Sequence, residues 1–230
     1  MTDLFESLLK KLQLQFKDET LLRQSFIHRS YLNEYHGNLQ SNERLEFLGD
    51  SVLSLVVSNY IYSKRTEDAE GDLTNLRAYI VKTKSLAEAA KELGLGDYLK
   101  LSKGEGLSGG QNNPQLLANT YEALIGAIYL DQGLEEVKRV IGTTLLPLFE
   151  REIKSGPPKD SKSYLQELVQ EKFKESPKYK ILKTMGPDHA KEFMVGVYIE
   201  NKLYGEGTGF SKQDAEEISA KKALQKLKAS

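Results

Sequence analysis

The run Glu43-Arg44-Leu45-Glu46-Phe47-Leu48-Gly49-Asp50, continuing through Val52, Leu53, Leu55, Val56 and Val57, constrains the fold more than any other part of the chain. It is free of proline for several turns and reads as a helix, with Ser41 available to cap its N-terminus. At about 100° per residue, Glu43, Glu46 and Asp50 fall within an arc of roughly 60°. Most other positions are Leu, Val or Phe, which predicts a helix with nearly every face buried. Ionised carboxylates in an apolar setting are costly unless cations or strong donors meet them. The fold must therefore bring a counter-charge to this helix.

A second stretch, Leu116 to Leu130, is also apolar nearly all round. Glu122 is its one acidic residue before Asp131, and Asn119 lies one turn earlier on the same face. Glu46 and Asp50 on one helix, with Asn119 and Glu122 on the other, make an oxygen-only donor set. Such donors suit a hard cation, and Mg2+ is usually held by a few carboxylates together with retained waters. The alternative is that these acids pair with Arg44, Arg77 or Lys82, or cap neighbouring helices. Zinc is disfavoured, because there is no Cys, the three His are scattered, and no His-Glu-x-x-His spacing occurs.

Around these two helices the spacing predicts an all-α unit. Leu4, Leu8, Leu9 and Leu12 share a helical face, and Asp18 offers a cap for a helix running through Ile27. His28 reads as a hydrogen-bonded structural histidine. A long helix is predicted from Asp72 to Leu93, stopping at the Gly94-Leu95-Gly96 pair of glycines. The Gly-rich segment Lys103 to Pro114 matches no phosphate-binding motif and reads as a flexible surface loop. A final helix runs from Leu134 to about Glu152.

Ser155-Gly156-Pro157-Pro158-Lys159-Asp160 is the clearest boundary, a solvated linker between a domain over 1–154 and a second over 161–230. Beyond it the period changes. Ser163 to Lys174 is helical, whereas Phe193, Val195, Val197 and Ile199 alternate with Met194, Gly196 and Tyr198, the signature of a half-buried strand. Tyr179–Met185 and Leu203–Phe210 read as its partners, and a helix from about Lys212 buries Ala220, Ala223, Leu224 and Leu227. The order α-β-β-β-α is that of a small α+β module.

Charge alone does not announce a partner. The chain of 230 residues carries a net charge of −1. From Asp160 onward 13 Lys face 11 acidic side chains, and the preceding part has 19 basic and 22 acidic ones. Neither balance marks nucleic acid by itself. No run approaches the roughly 18–20 apolar residues of a membrane span, and the N-terminus lacks the basic start of a signal peptide. With no Cys, a reducing cytoplasmic setting is expected.

Asn42 to Ser51 resembles the ribonuclease III signature, and Thr120 to Ala127 resembles the second acidic segment of that family. The region beyond the linker resembles a double-stranded-RNA-binding domain. The likeness spans essentially the whole chain, in the domain order of the bacterial enzyme. It implies an all-α endonuclease domain followed by an α+β RNA-binding domain, and cleavage of double-stranded RNA to 5′-phosphate and 3′-hydroxyl ends with short 3′ overhangs, in processing of ribosomal and other RNA precursors.

By that resemblance Glu46, Asp50, Asn119 and Glu122 would hold Mg2+, with Mn2+ as a substitute and no small-molecule cofactor. Asp50 and Glu122 would be the residues most directly tied to hydrolysis. Family members are homodimers, and Phe47 matches the position that plugs into the partner subunit; an ordinary core Phe is the competing reading. Glu43 matches a position near the RNA groove, against a helix-terminus role. Ser163, Gln166 and Glu167 would meet one RNA minor groove, His189 the next, and Ser211 and Lys212 the phosphates between them. Asn119 departs from the family pattern, which usually has Asp there, and so removes one negative charge. Two other readings stand beside the enzyme. One is a binding protein of the same fold that cuts weakly or not at all because of Asn119. The other is an all-α metal phosphohydrolase acting on nucleotides, disfavoured because the His-Asp pairs such sites use are absent.

Overall fold

The computed structural model describes residues 4–35, 37–157, 161–187 and 191–228, and the chain divides into two compact units, Met1–Pro157 and Pro158–Ser230. In the first unit α1 (Glu6–Leu12), α2 (Glu19–Ser25) and α3 (Arg29–Leu32) lead into the long α4 (Glu43–Lys64). Then follow α5 (Glu70–Val81), α6 (Thr83–Leu93), α7 (Lys103–Leu107), α8 (Pro114–Gln132), α9 (Leu134–Thr144) and α10 (Glu150–Ser155). Helices α4 and α8 pack together at the centre, with α2, α6 and α9 laid against α8. Leu45, Val52, Leu53, Val56, Val57 and Ile61 of α4 share one core with Leu117, Leu124, Ile125 and Ile128 of α8. Asp131, at the end of α8, accepts from the backbone N–H of Lys17 at 3.0 Å and of Asp18 at 2.8 Å. Asp18 in turn caps α2 through Thr20 N–H at 2.9 Å. The end of α8 thereby fixes the start of α2.

Local structure departs from expectation at several points. Ser41 does not cap α4; its hydroxyl donates to Glu43 Oε2 at 2.8 Å, and Asn42 stands at the cap position. Asn42 is buried, and its side-chain NH2 donates to the carbonyl of Ser25 at 3.2 Å, tying α4 to α2. The predicted helix from Asp72 to Leu93 is two helices, because Lys82 adopts an extended conformation with ψ 153°. The break frees the carbonyl of Tyr79, which the Ser85 hydroxyl bonds at 2.8 Å, while the Lys82 ammonium lies 3.6 Å above the Tyr79 ring centre. Proline at 147 likewise splits the expected last helix, leaving a 3-10 turn over Leu146–Phe149 between α9 and α10. The Gly-rich segment is ordered as α7 and a 3-10 turn over Gly110–Asn112. Arg65 closes the unit, donating to the carbonyls of Ile153 at 3.1 Å and Lys154 at 2.7 Å.

In the second unit α11 (Ser161–Phe173) precedes the antiparallel sheet β1 (Lys178–Met185), β2 (Glu192–Ile199) and β3 (Lys202–Gly209), in the order β1-β2-β3, and α12 (Lys212–Lys228) follows. Leu165, Val169, Val197, Ile199, Ala220, Ala223, Leu224 and Leu227 form its separate core. Alternate glycines of β3 let α12 lie on the strand backbone: a methyl at Gly207 would stand 2.3 Å from the carbonyl oxygen of Ala215. Among the described residues, no helix of either unit is long and apolar enough to cross a membrane.

Candidate active site

The acidic residues of α4 and α8 meet because two glycines let the helices touch backbone to backbone. A methyl group at Gly49 would lie 1.8 Å from the carbonyl oxygen of Glu122, and one at Gly126 would lie 2.2 Å from that of Leu45. No side chain fits at either point, so the contact is reciprocal and specific to glycine. Glu46 and Asp50 flank this crossing on α4, and Glu122 forms part of it on α8.

The electrostatics follow from that placement. Burial, then the charges of Asp50 and Glu46, push the Glu122 carboxyl up to about 7. Glu46 is raised too, by burial first, then by Glu43 and Asp50, against a lowering hydrogen bond from Asn119. Each carboxylate therefore feels acids from its own helix or from the helix opposite. None of the expected cations relieves them: Arg77 donates to the Ser58 hydroxyl at 3.3 Å, and Lys82 sits on Tyr79. Among the described residues, no ion pair involves Glu46, Asp50 or Glu122.

Glu43, Glu46, Asp50, Asn119 and Glu122 do not all behave alike. Glu43 is exposed at the first turn of α4, held by the Ser41 hydroxyl and by Arg29 at 3.6 Å, which favours its helix-terminus role. Asn119 Oδ1 accepts from Gln115 Nε2 at 2.7 Å. Among the described residues, no three His, Cys, Asp or Glu side chains converge tightly enough to enclose a metal ion. The cluster is open. An oxygen donor set in which the Glu46 and Glu122 carboxyls are both raised fits a hard cation that keeps waters or takes up a phosphate oxygen.

Phe47 is 78% exposed, so the core reading of this residue fails. Leu55 and Tyr62 continue an exposed apolar stripe along α4, correcting the expectation that nearly every face of this helix is buried. Beside Phe47 runs a groove of about 590 Å³ lined by Leu21, Gln24, Leu48 and Leu130.

In the second unit Ser163, Gln166 and Glu167 lie together on the exposed side of α11. Ser211 caps α12, accepting from Asp214 N–H at 3.0 Å, and Lys212 is exposed beside it. His189 lies outside the described residues. Reading the sequence alone missed Gly49 and Gly126, although a glycine three or four residues after an acid, in each of two apolar helices, was the available signal.

Comparison with known proteins bears on the same residues. The ribonuclease-III-like family profile matches residues 18–148, and the double-stranded RNA binding motif matches residues 161–227. The chain is 48% identical over 217 residues to Ribonuclease 3 of Pelotomaculum thermopropionicum, covering 94% of this chain and 90% of that protein. It is 46% identical over 226 residues to Ribonuclease 3 of Geobacillus thermodenitrificans, covering 98% and 92%. A crystal structure of the nuclease domain of ribonuclease III from Campylobacter jejuni matches with a TM-score of 0.56 and 40% identity, covering 69% of this chain and 99% of that one. A further structure of that domain, described by its flexibility in a region involved in dimer formation, matches with a TM-score of 0.59 and 42% identity, covering 64% and 99%. Membership carries the family's divalent-metal requirement with it. With both domains matched in order and the relatives covered nearly end to end, the chain belongs to the ribonuclease III family.

Proposed function

We propose that the protein is a Mg2+-dependent endoribonuclease that hydrolyses double-stranded RNA, acting in processing of ribosomal and other RNA precursors. The observation that carries this is the meeting of Glu46 and Asp50 with Glu122 across a glycine crossing, with no ion pair to any of them among the described residues. Glu46, Asp50 and Glu122 would hold the cation. When bound, a divalent ion supplies Lewis-acid polarisation of the phosphate and lowers the pKa of an attacking water. The water oxygen forms a bond to phosphorus in line with the departing 3′-oxygen, and the P–O3′ bond breaks. The water loses a proton and O3′ gains one, giving 5′-phosphate and 3′-hydroxyl ends. Asp50 on α4 and Glu122 on α8 would be the residues that position the reacting phosphate.

A duplex reader needs polar reach into a shallow minor groove rather than base-edge recognition. Ser163, Gln166 and Glu167 offer that on α11, His189 is assigned to the neighbouring groove, and Lys212 at the α12 N-terminus meets phosphate. The exposed stripe of Phe47, Leu55 and Tyr62 supports an isologous dimer, in which Phe47 of each copy enters the groove at Leu21, Leu48 and Leu130 of the other. Two active centres in one dimer would then cut both strands and leave short 3′ overhangs.

The test is incubation with a long RNA duplex, with and without Mg2+, beside Glu122→Ala. The expected result is Mg2+-dependent cleavage by the natural sequence, and binding without cleavage by Glu122→Ala. If the natural sequence bound but did not cut, and Asn119→Asp restored cutting, the protein would be a duplex-RNA binder rather than an enzyme.

A further inference from the structure

Helix α11 carries Ser163, Gln166 and Glu167, and α12 carries Lys212 at its start. A duplex is read by its shape, so these two helices must hold a fixed relation to each other. Their shared core of Leu165, Val169, Ala220, Ala223 and Leu224 brings them together. Apolar contact is non-directional, however, and sets a separation rather than a roll angle. The directional contact is made by Glu217, half-buried on the second turn of α12. One of its carboxylate oxygens accepts from the backbone N–H of Ser161 at 2.6 Å, and the other accepts from that of Lys162 at 3.2 Å. These are the first two N–H groups of α11, donors that have no partner inside a helix. A carboxylate at this point also meets the positive end of the α11 dipole. The Lys162 side chain crosses the same gap in return: its ammonium pairs with Glu216 and lies 5.2 Å from the Tyr179 ring centre. The first turn of α11 is thus tied to α12 at two neighbouring acids. Ser163 belongs to that turn, Gln166 lies about one turn further on, and Lys212 stands about 7.5 Å from Glu217 along the α12 axis.

We infer that Glu217 is a positioning residue for duplex RNA: by capping the first turn of α11 from α12, it fixes Ser163 and Gln166 against Lys212 at the spacing of a minor groove and its flanking phosphates. This rests on the assignment of those three residues to RNA. An acid in a unit that binds a polyanion is unfavourable on charge alone. Its two bonds to the α11 backbone offset that disadvantage. Glutamine at this position keeps one acceptor oxygen but turns an NH2 toward the second backbone N–H, so one bond is lost and donor is set against donor.

The experiment uses the full chain and the fluorescence anisotropy of a labelled RNA duplex, with chelator present. It compares Glu217→Gln with Glu171→Gln, which removes the same charge from an exposed position of α11. On charge alone both variants would bind the duplex as tightly as the natural sequence or more so. Glu217→Gln is expected instead to bind roughly 3- to 10-fold more weakly, the range of a lost helix cap, and Glu171→Gln is not. In steady-state cleavage with Mg2+, KM should rise by the same factor with kcat unchanged. Amide hydrogen exchange should quicken at Ser161 and Lys162 and stay as it was across α12. Duplex binding by Glu217→Gln as tight as that of Glu171→Gln overturns the positioning role. Exchange that quickens throughout α12 overturns it too, because the whole unit has then loosened. Gln166→Ala separates the two levels: if it binds like the natural sequence, the assignment of α11 to RNA fails and the role of Glu217 falls with it. Weakened binding there beside an unaffected Glu217→Gln overturns the role of Glu217 alone.

Discussion

Replacing Gly126 by Ala tests the backbone crossing on which the active site is built. The added methyl would sit 2.2 Å from the carbonyl oxygen of Leu45. Carbon and oxygen reach ordinary contact more than 3 Å apart, so the helices must separate by roughly 1 Å. The obstacle is backbone inside a packed helix, and no rotamer change relieves it. Overpacking of this kind costs about 1–3 kcal/mol. At about 2–4 °C per kcal/mol for a chain of this size, the melting temperature should fall by roughly 2–12 °C. A misplacement of about 1 Å between groups that must act together can cost on the order of 100-fold in rate. Cleavage should therefore suffer beyond what stability explains, measured well below the melting temperature on a duplex substrate. Gly142→Ala is the control, since a methyl there meets nothing within 4 Å. Lying within α9, it should be neutral or stabilising by about 0.5–1 kcal/mol. If Gly126→Ala melts and cleaves like the natural sequence, the helices do not touch as described and the argument for the site falls.

Two other outcomes follow from the acidic cluster and the apolar stripe. Glu122 is raised from 4.5 to about 7, so between those values the folded protein binds more protons than the unfolded chain. The metal-free protein should lose stability as pH rises through that window, and Mg2+ should oppose the loss by binding the ionised form. Thermal unfolding at about pH 5 and about pH 7.5, with chelator and with Mg2+, checks the sign; a metal-free melting temperature that climbs over this interval would contradict it. Phe47→Asp puts a charge into the proposed dimer contact of a residue that is 78% exposed within one chain. It should leave the fold of the single chain intact and shift sedimentation from dimer toward monomer, whereas an unchanged dimer would remove Phe47 from that interface.

Much of this architecture was legible from residue pattern, for physical reasons that also mark where legibility ended. Glu46, Asp50 and Glu122 stood out because acids on apolar helices are costly, and β2 because Val195, Val197 and Ile199 alternate with their neighbours. Helix breaks set by tertiary contacts were not visible. Nothing in the local sequence stops a helix at Lys82, where Tyr79 and Ser85 reorganise the turn, although Pro147 could have been read as a stop. Periodicity could not expose the stripe of Phe47, Leu55 and Tyr62, because an apolar residue does not say whether its own chain or another covers it, and only the family resemblance set Phe47 against a partner.

The Gly49–Gly126 contact also governs how motion and mutation elsewhere reach the active site. Two rods that touch at one point turn about that point, and the displacement of any atom grows with its distance from it. Glu46, Asp50 and Glu122 sit within about one helical turn, some 5 Å, of the contact, whereas the far ends of α4 at Lys64 and of α8 at Pro114 lie roughly 18–22 Å away. A 5° change in crossing angle would then shift the carboxylates by about 0.4 Å and those far ends by about 1.6–2 Å. The outer core can drift in sequence and breathe in solution while the reacting groups stay nearly still at the pivot.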